Sequence, residues 1–177
     1  MAGLSRRRFL VVGLGSAAIL TAAGWFALRP GRSVEGFRAL DEDGVQFIAA
    51  LVPAVLAGAL PDEPAARAAA VRETVAAFDR AVSGLTPAVQ AELAQLFALV
   101  ALAPSRRLLA GVSRPWAEAS PEEVSAFLAG WRHGRLDLMR AGYQALTQLI
   151  LAAWYGNPSA WAGIGYPGAP AIGEKPA

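Results

Sequence analysis

Cysteine is absent from this chain, and histidine occurs once. The lack of thiols excludes disulfide bridges, thiolate metal sites, thioether-linked haem and a cysteine nucleophile. Charged residues are also scarce, at 17% of the sequence, against 55% hydrophobic residues. This balance is rich in apolar side chains for a globular protein. We therefore expect a partner or lipid to cover part of the surface.

Without its N-terminal arginines, the chain has no excess of basic over acidic residues. The net charge of +2 includes Arg6, Arg7 and Arg8, and removing these three from the 16 basic residues leaves 13 against 14 acidic ones. Nucleic-acid binding needs a concentrated positive surface. The sequence therefore gives no electrostatic reason to expect a nucleic-acid partner.

Catalytic motifs are missing as well. His133 lies near a predicted helix boundary, where a surface or capping role is the simpler interpretation. The acidic stretches 41–43 and 122–123 fall at predicted helix starts, where they favour the helix dipole. Gly13-Leu14-Gly15 follows no strand, so it does not predict a phosphate-binding loop. We expect no catalytic, cofactor or metal site in this chain, although a serine triad assembled in space stays an alternative.

The N-terminal segment has the composition of a leader. The chain is uncharged from Phe9 to Leu28, and a helix of this length spans about 30 Å, the thickness of a bilayer core. A basic cluster followed by an apolar run is typical of a secretory leader or signal anchor. Thr21-Ala22-Ala23 offers small residues for cleavage, whereas Trp25 and Arg29 suit a retained anchor. Both outcomes stay open.

The residues before this run resemble a twin-arginine export signal. The pattern Ser/Thr-Arg-Arg-x-Phe-Leu is matched by Ser5, Arg6, Arg7, Phe9 and Leu10. Arg8 takes the variable position, and Val11 stands where the pattern often has lysine. The resemblance implies export by the twin-arginine translocase to the periplasm, at the outer face of the cytoplasmic membrane. We expect residues 1–33 to form this signal or anchor and its connector.

Residues 34–155 are predicted to form an all-α helical bundle. Proline and glycine separate segments whose apolar residues recur at helical spacing, and strand signals are nearly absent. Asp41 or Asp43 is expected to cap the first helix, and Ser120 with Glu123 forms a capping-box pattern. A short helix is expected over 105–110 and a long last helix over about 135–155.

Three helices in this bundle have apolar stripes that the sequence defines. Glu63-Pro64 starts one helix, and its inward positions are predicted to be Val71, Val75, Phe78 and Val82. Asp79 is assigned to the polar side of the same helix. Thr86-Pro87 starts the next helix, in which Val89 begins the apolar stripe, and Leu136 begins that of the last helix.

The C-terminal segment 156–177 has a different composition. It is predicted to be an irregular, extended tail, because glycine and proline interrupt its aromatic residues without any helical or alternating period. Large aromatics are costly to leave in water, so they should pack on this bundle or on another chain. The predicted partner-binding residues are Trp154, Tyr155, Asn157, Pro158, Trp161, Tyr166, Pro167 and Gly168.

Several of these features together resemble the gluconate 2-dehydrogenase subunit 3 family. They are the twin-arginine leader, the start at Phe37-Arg38-Ala39-Leu40, the helical middle, and the tail motifs Tyr-Gly-Asn-Pro (155–158) and Gly-Tyr-Pro-Gly (165–168). Members are small, or gamma, subunits of bacterial membrane-associated dehydrogenases that oxidise sugars, sugar acids and polyols. Some of them carry cysteines; this chain has none, so a covalent bridge to a large subunit is impossible here.

The resemblance implies a role without catalysis in this chain. In such complexes a large subunit of the glucose-methanol-choline type holds FAD, and a multihaem cytochrome c subunit passes electrons to the membrane. The small subunit is an escort, or hitchhiker chaperone, which brings the folded, flavin-loaded large subunit through the twin-arginine translocase. The alternative from the residues is a stand-alone exported helical protein at the membrane, whose aromatic residues line a binding pocket of its own.

Overall fold

The computed structural model describes residues 32–168. These residues form five principal helices, which are α1 (Glu42–Val55), α2 (Pro64–Ser83), α3 (Pro87–Ala101), α4 (Pro121–Arg132) and α5 (Asp137–Tyr155). Outside the helices, one isolated antiparallel bridge joins Ser33 to Asp41. The all-α prediction is confirmed.

Shorter helical turns join the principal helices and continue past α5. A turn at Ala103–Ser105 runs on into a π-turn at Arg106–Ala110, and a 3₁₀ turn covers Trp116–Glu118. Two more 3₁₀ turns, Pro158–Ala160 and Ala162–Ile164, follow α5. The predicted helix over 105–110 is therefore mostly a π-turn, which ends at Gly111 with a φ of +69°.

The helix starts follow the capping residues in the sequence. The Asp41 carboxylate accepts a hydrogen bond from the Gly44 N–H at 2.8 Å. Ser120 and Glu123 exchange the two hydrogen bonds of a capping box, at 3.2 and 3.0 Å. Thr86 occupies the cap position of α3 without making a side-chain cap bond. Local side-chain chemistry thus sets most of the helix boundaries.

The core is centred on α1, which contacts all four other principal helices. Phe47 is completely buried and lies in an aromatic cluster with Phe97, Trp116 and Phe127, at centroid distances between 4.7 and 6.0 Å. The Trp116 indole N–H donates to the Val100 carbonyl at 2.8 Å. Edge and tilted contacts of this kind add about 0.5–1.5 kcal/mol per pair beyond area burial.

Three residues differ from their sequence assignments. Val89 and Leu136 are 40% and 60% exposed, because each lies at or beside a helix start, outside the buried part of its stripe. Asp79 was assigned to the polar side of α2, but it is only 2% exposed. Its carboxylate accepts hydrogen bonds from the backbone N–H groups of residues 38–40 at 2.8–3.2 Å. Asp79 therefore ties the segment preceding α1 to the bundle.

No single helix between residues 32 and 168 is both long and apolar enough to cross a bilayer. The pair Pro87–Ala101 and Ala103–Ala110, which is bent by 80°, meets the length and composition criteria only when taken together.

Candidate docking site

The predicted docking residues lie at the C-terminal end of α5 and in the turns that follow it. The described part of the tail, residues 156–168, differs from the extended segment expected from its sequence, because it folds into two 3₁₀ turns against α2 and α5. Residues 169–177 and the export-signal residues Ser5, Arg6, Arg7, Phe9 and Leu10 lie outside the described residues.

Hydrogen bonds to α2 hold the first tail turn in place. Glu73 Oε2 accepts from Asn157 Nδ2 at 3.1 Å and from Ser159 Oγ at 3.3 Å. Asn157 Oδ1 in turn accepts from the Ser159 N–H at 3.2 Å. Asn-Pro-Ser is a turn-forming sequence because asparagine bonds to backbone two residues on and proline fixes φ. Pro158 thus begins a turn whose side chains face α2.

Trp161 organises the second half of the tail. Its indole N–H donates to the Tyr155 carbonyl at 2.8 Å, and its ring meets the Tyr166 ring edge-on at 5.2 Å. The Tyr166 N–H returns a bond to the Trp161 carbonyl at 3.0 Å. Gly168, with a φ of +103°, passes close to the same indole. Pro167 lies exposed between Tyr166 and Gly168.

The large apolar side chains at this end of the molecule differ in burial. Trp154 is 5% exposed and packs within this chain's own core, so its ring is not offered to a partner. Tyr155, Ile164 and Tyr166 are 38%, 56% and 44% exposed. We use the name aromatic end for Tyr155, Trp161, Ile164 and Tyr166. Ile164 is a surface residue that the sequence reasoning missed, because burial around an irregular turn leaves no periodic signal.

The Glu73 carboxylate is expected to hold the tail against α2. Replacing Glu73 by alanine removes two exposed hydrogen bonds, which should weaken docking of the tail by about 1 kcal/mol. Cleavage by chymotrypsin at the tail aromatics should then rise about fivefold, while the helix content stays unchanged. Glu92→Ala is the matched control, because Glu92 is exposed on α3 and makes none of these contacts. Equal cleavage of both variants would contradict a role for Glu73 in holding the tail.

A second candidate site is an open groove between the end of α1, α4 and α5. Its volume is about 380 Å³. The lining residues are Ala54, Val55, Ser125, Leu128, Ala129, Arg132, His133, Tyr143, Thr147 and Leu151.

The groove is open to solvent, and its lining carries one permanent positive charge, that of Arg132. His133, the C-cap residue of α4, lines it beside Arg132, and no carboxylate joins them. The Thr147 hydroxyl donates to the Tyr143 carbonyl of its own helix at 2.7 Å. Ser125 and His133 make no hydrogen bond to each other among the described residues, so the lining does not assemble a serine triad. No group of three metal-ligating side chains occurs between residues 32 and 168.

Comparison with family models, with curated proteins and with solved structures gives no match for this chain.

Proposed function

We propose that this chain is a non-catalytic small subunit that escorts a FAD-dependent dehydrogenase of the glucose-methanol-choline type to the periplasm. The observation that carries the proposal is the pairing of a twin-arginine motif at 5–10 with the tail motifs at 155–158 and 165–168. FAD belongs to the partner large subunit, and haem c belongs to a multihaem cytochrome subunit. The complex resides at the outer face of the cytoplasmic membrane.

The folded tail supports an interface at this end of the molecule. Tyr155, Ile164 and Tyr166 place exposed apolar surface side by side with the half-buried Trp161. Aromatic anchors with partly exposed rings are typical of protein interfaces. The hydrogen bonds of Glu73 and Trp161 fix these groups before a partner arrives, which lowers the entropy cost of binding. The aromatic end is thus the proposed contact with the large subunit.

The interface can be tested by co-purification from the host cell. Ile164→Asp introduces a charge into the surface that the large subunit would cover. It should reduce the amount of co-purified flavin at least about tenfold. The tail should keep its fold, because Ile164 is 56% exposed. Val89→Asp is the matched control, since Val89 is an exposed apolar residue on α3. Undiminished flavin with Ile164→Asp would contradict docking through the aromatic end.

A stand-alone binding protein is the second candidate function, and the groove beside His133 favours it. Its volume of about 380 Å³ is within the range of small-molecule sites. Arg132 and His133, without a lining carboxylate, suit an anionic ligand. Quenching of tryptophan fluorescence by such a ligand, in a chain that carries no flavoprotein, would favour this candidate over escort.

A further inference from the structure

Two stretches that are distant in the sequence meet at one corner of the bundle. The Trp131 indole N–H, in the last turn of α4, donates to the Leu109 carbonyl in the π-turn at 2.9 Å. The π-turn therefore lies directly beside the connection between α4 and α5. We use the name basic corner for the exposed residues that these two stretches present, namely Arg107, Leu108, Arg132, Arg135, Leu136 and Leu138.

The basic corner exposes an unusual amount of leucine. Leu108, Leu136 and Leu138 are 73%, 60% and 80% exposed, and these are the three highest values among the large hydrophobic residues of the described chain. An isolated exposed leucine is ordinary on a protein surface. Three of them lie on the two stretches that the Trp131–Leu109 hydrogen bond brings together, which is more exposed leucine than single scattered side chains account for.

Positive charge surrounds these leucines. The segments 106–110 and 131–140 together contain one acidic residue, Asp137, and five arginines, of which Arg106 is buried. The single aspartate is neutralised locally, because Arg140 pairs with it and also donates to the Gly134 carbonyl at 2.6 Å. The remaining arginines make no salt bridge among the described residues. The basic corner therefore exposes leucine side chains together with arginines that form no salt bridge among the described residues.

Close packing against two glycines orders the loop of the basic corner. The Trp131 ring lies so close to Gly142 that a Cβ added there would stand 2.7 Å from Cζ3 of the indole. Met139 packs against Gly134 in the same way, with 3.0 Å between its Cβ and a Cβ built on the glycine. Together with Arg140, these contacts fix the loop that carries Arg135 and Leu136. The exposed leucines are thus presented on an ordered surface.

Arg32, the first described residue, lies beside the start of α1. Arg32 pairs with Glu42 at 3.8 Å at the start of α1. Nearby, desolvation and then Asp41 and Glu42 raise the pKa of Asp43, while Arg106 and Arg32 act in the opposite direction. Three residues separate Leu28 from Arg32, a span of at most about 14 Å.

We propose that the basic corner docks on an anionic lipid surface, with its leucines in the headgroup region and its arginines on the phosphates. Basic residues flanking exposed leucines are the composition of interfacial membrane segments. Leucine is under-represented among the anchors of protein interfaces, so lipid fits this corner better than a protein partner does. A leader that stays in the bilayer would keep the whole bundle close to the lipid surface. This last step rests on the proposed function, because it takes the apolar run 9–28 as membrane-bound.

The two surfaces of the molecule then have separate roles. The basic corner includes the start of α5 and the aromatic end includes its last residue, and the helix between them is about 27 Å long. A molecule docked by the corner with α5 pointing away from the bilayer holds the aromatic end off the lipid. The large subunit is accordingly bound at a distance from the bilayer.

The absence of cysteine allows a direct test with one labelled position. The full chain carrying Leu138→Cys is labelled with an environment-sensitive fluorophore and added to vesicles containing phosphatidylglycerol. Docking predicts a blue shift of the label, and Leu108→Cys should give the same shift, because both stretches dock together. Val89→Cys is the control and should show none, since it lies outside the corner on α3. The leader is present in all three chains, so its own membrane binding cannot produce the difference.

Docking should also depend on the charge of the arginines and of the lipid. Arg132→Gln and Arg135→Gln should each lower the ratio of docked to undocked label about fivefold, and pure phosphatidylcholine vesicles should give little shift. An equal shift on neutral vesicles, an equal shift at Val89→Cys, or no shift at all would overturn the proposal. A shift that requires the flavoprotein and not lipid would overturn it in favour of an acidic protein surface. Intact export without a shift would overturn lipid docking and leave the escort proposal standing. Lost export with a normal shift would still support lipid docking.

Discussion

Replacing Asp79 by alanine is expected to lower the free energy of unfolding by about 3–5 kcal/mol. The Asp79 carboxylate is 2% exposed and accepts from the N–H groups of Arg38, Ala39 and Leu40. Alanine leaves these donors without their acceptor, and each buried unsatisfied donor costs about 1–3 kcal/mol. Only the Leu40 donor is fully enclosed, so the expected total lies well below the sum of three full penalties. Urea unfolding followed by circular dichroism measures the change.

Asp79→Asn separates hydrogen bonding from simple loss of volume. The amide keeps one carbonyl oxygen, and Oδ1 alone accepts from all three backbone groups. We therefore expect asparagine to cost clearly less than alanine. Asp62→Ala is the surface control, because the Asp62 side chain is fully exposed. A midpoint for Asp79→Ala equal to that of Asp62→Ala would contradict the role of Asp79 in fixing the segment before α1.

Local signals in the sequence predicted the helical architecture well. Capping and first-turn proline act over a few residues, so Asp41, Glu63 and Ser120 identify helix starts without any tertiary information. The apolar stripe of α2 is also confirmed, because Val75, Phe78 and Val82 are buried. Properties that depend on neighbours along the chain were predictable for that reason.

Properties that depend on contacts between distant segments were not predictable. Asp79 has the sequence appearance of a surface residue, and only the packing of segment 38–40 shows why a carboxylate is needed there. Trp131 meets the π-turn across 22 residues, so the basic corner has no sequence period. The sequence likewise did not show which of the predicted docking aromatics are buried, as Trp154 is, and which stay exposed.

The second large effect concerns export of two proteins by one signal. Arg6→Lys together with Arg7→Lys keeps the charge but removes the arginine pair that the twin-arginine resemblance requires. Under the escort proposal, the large subunit travels only as this chain's folded cargo. We therefore expect the double variant to retain both proteins in the cytoplasm, with flavin already bound to the larger one. Periplasmic dehydrogenase activity should fall to the level of cells that lack this chain.

Two controls make this result specific. Arg8→Lys changes the neighbouring arginine in the variable position of the motif, so it should leave export normal. A large subunit fused to an independent twin-arginine signal should reach the periplasm even with Arg6→Lys and Arg7→Lys present. If that fusion restores the large subunit to the periplasm, the double variant has removed the export signal and has left the stability of the flavoprotein unchanged.

The most direct measurement of the escort proposal is the fraction of FAD-containing large subunit in the periplasm of cells that carry the Arg6→Lys and Arg7→Lys chain. The proposal predicts that this fraction drops to that of cells without the chain, while the Arg8→Lys cells keep the normal fraction. A large subunit that reaches the periplasm in full with the double variant would contradict the proposal.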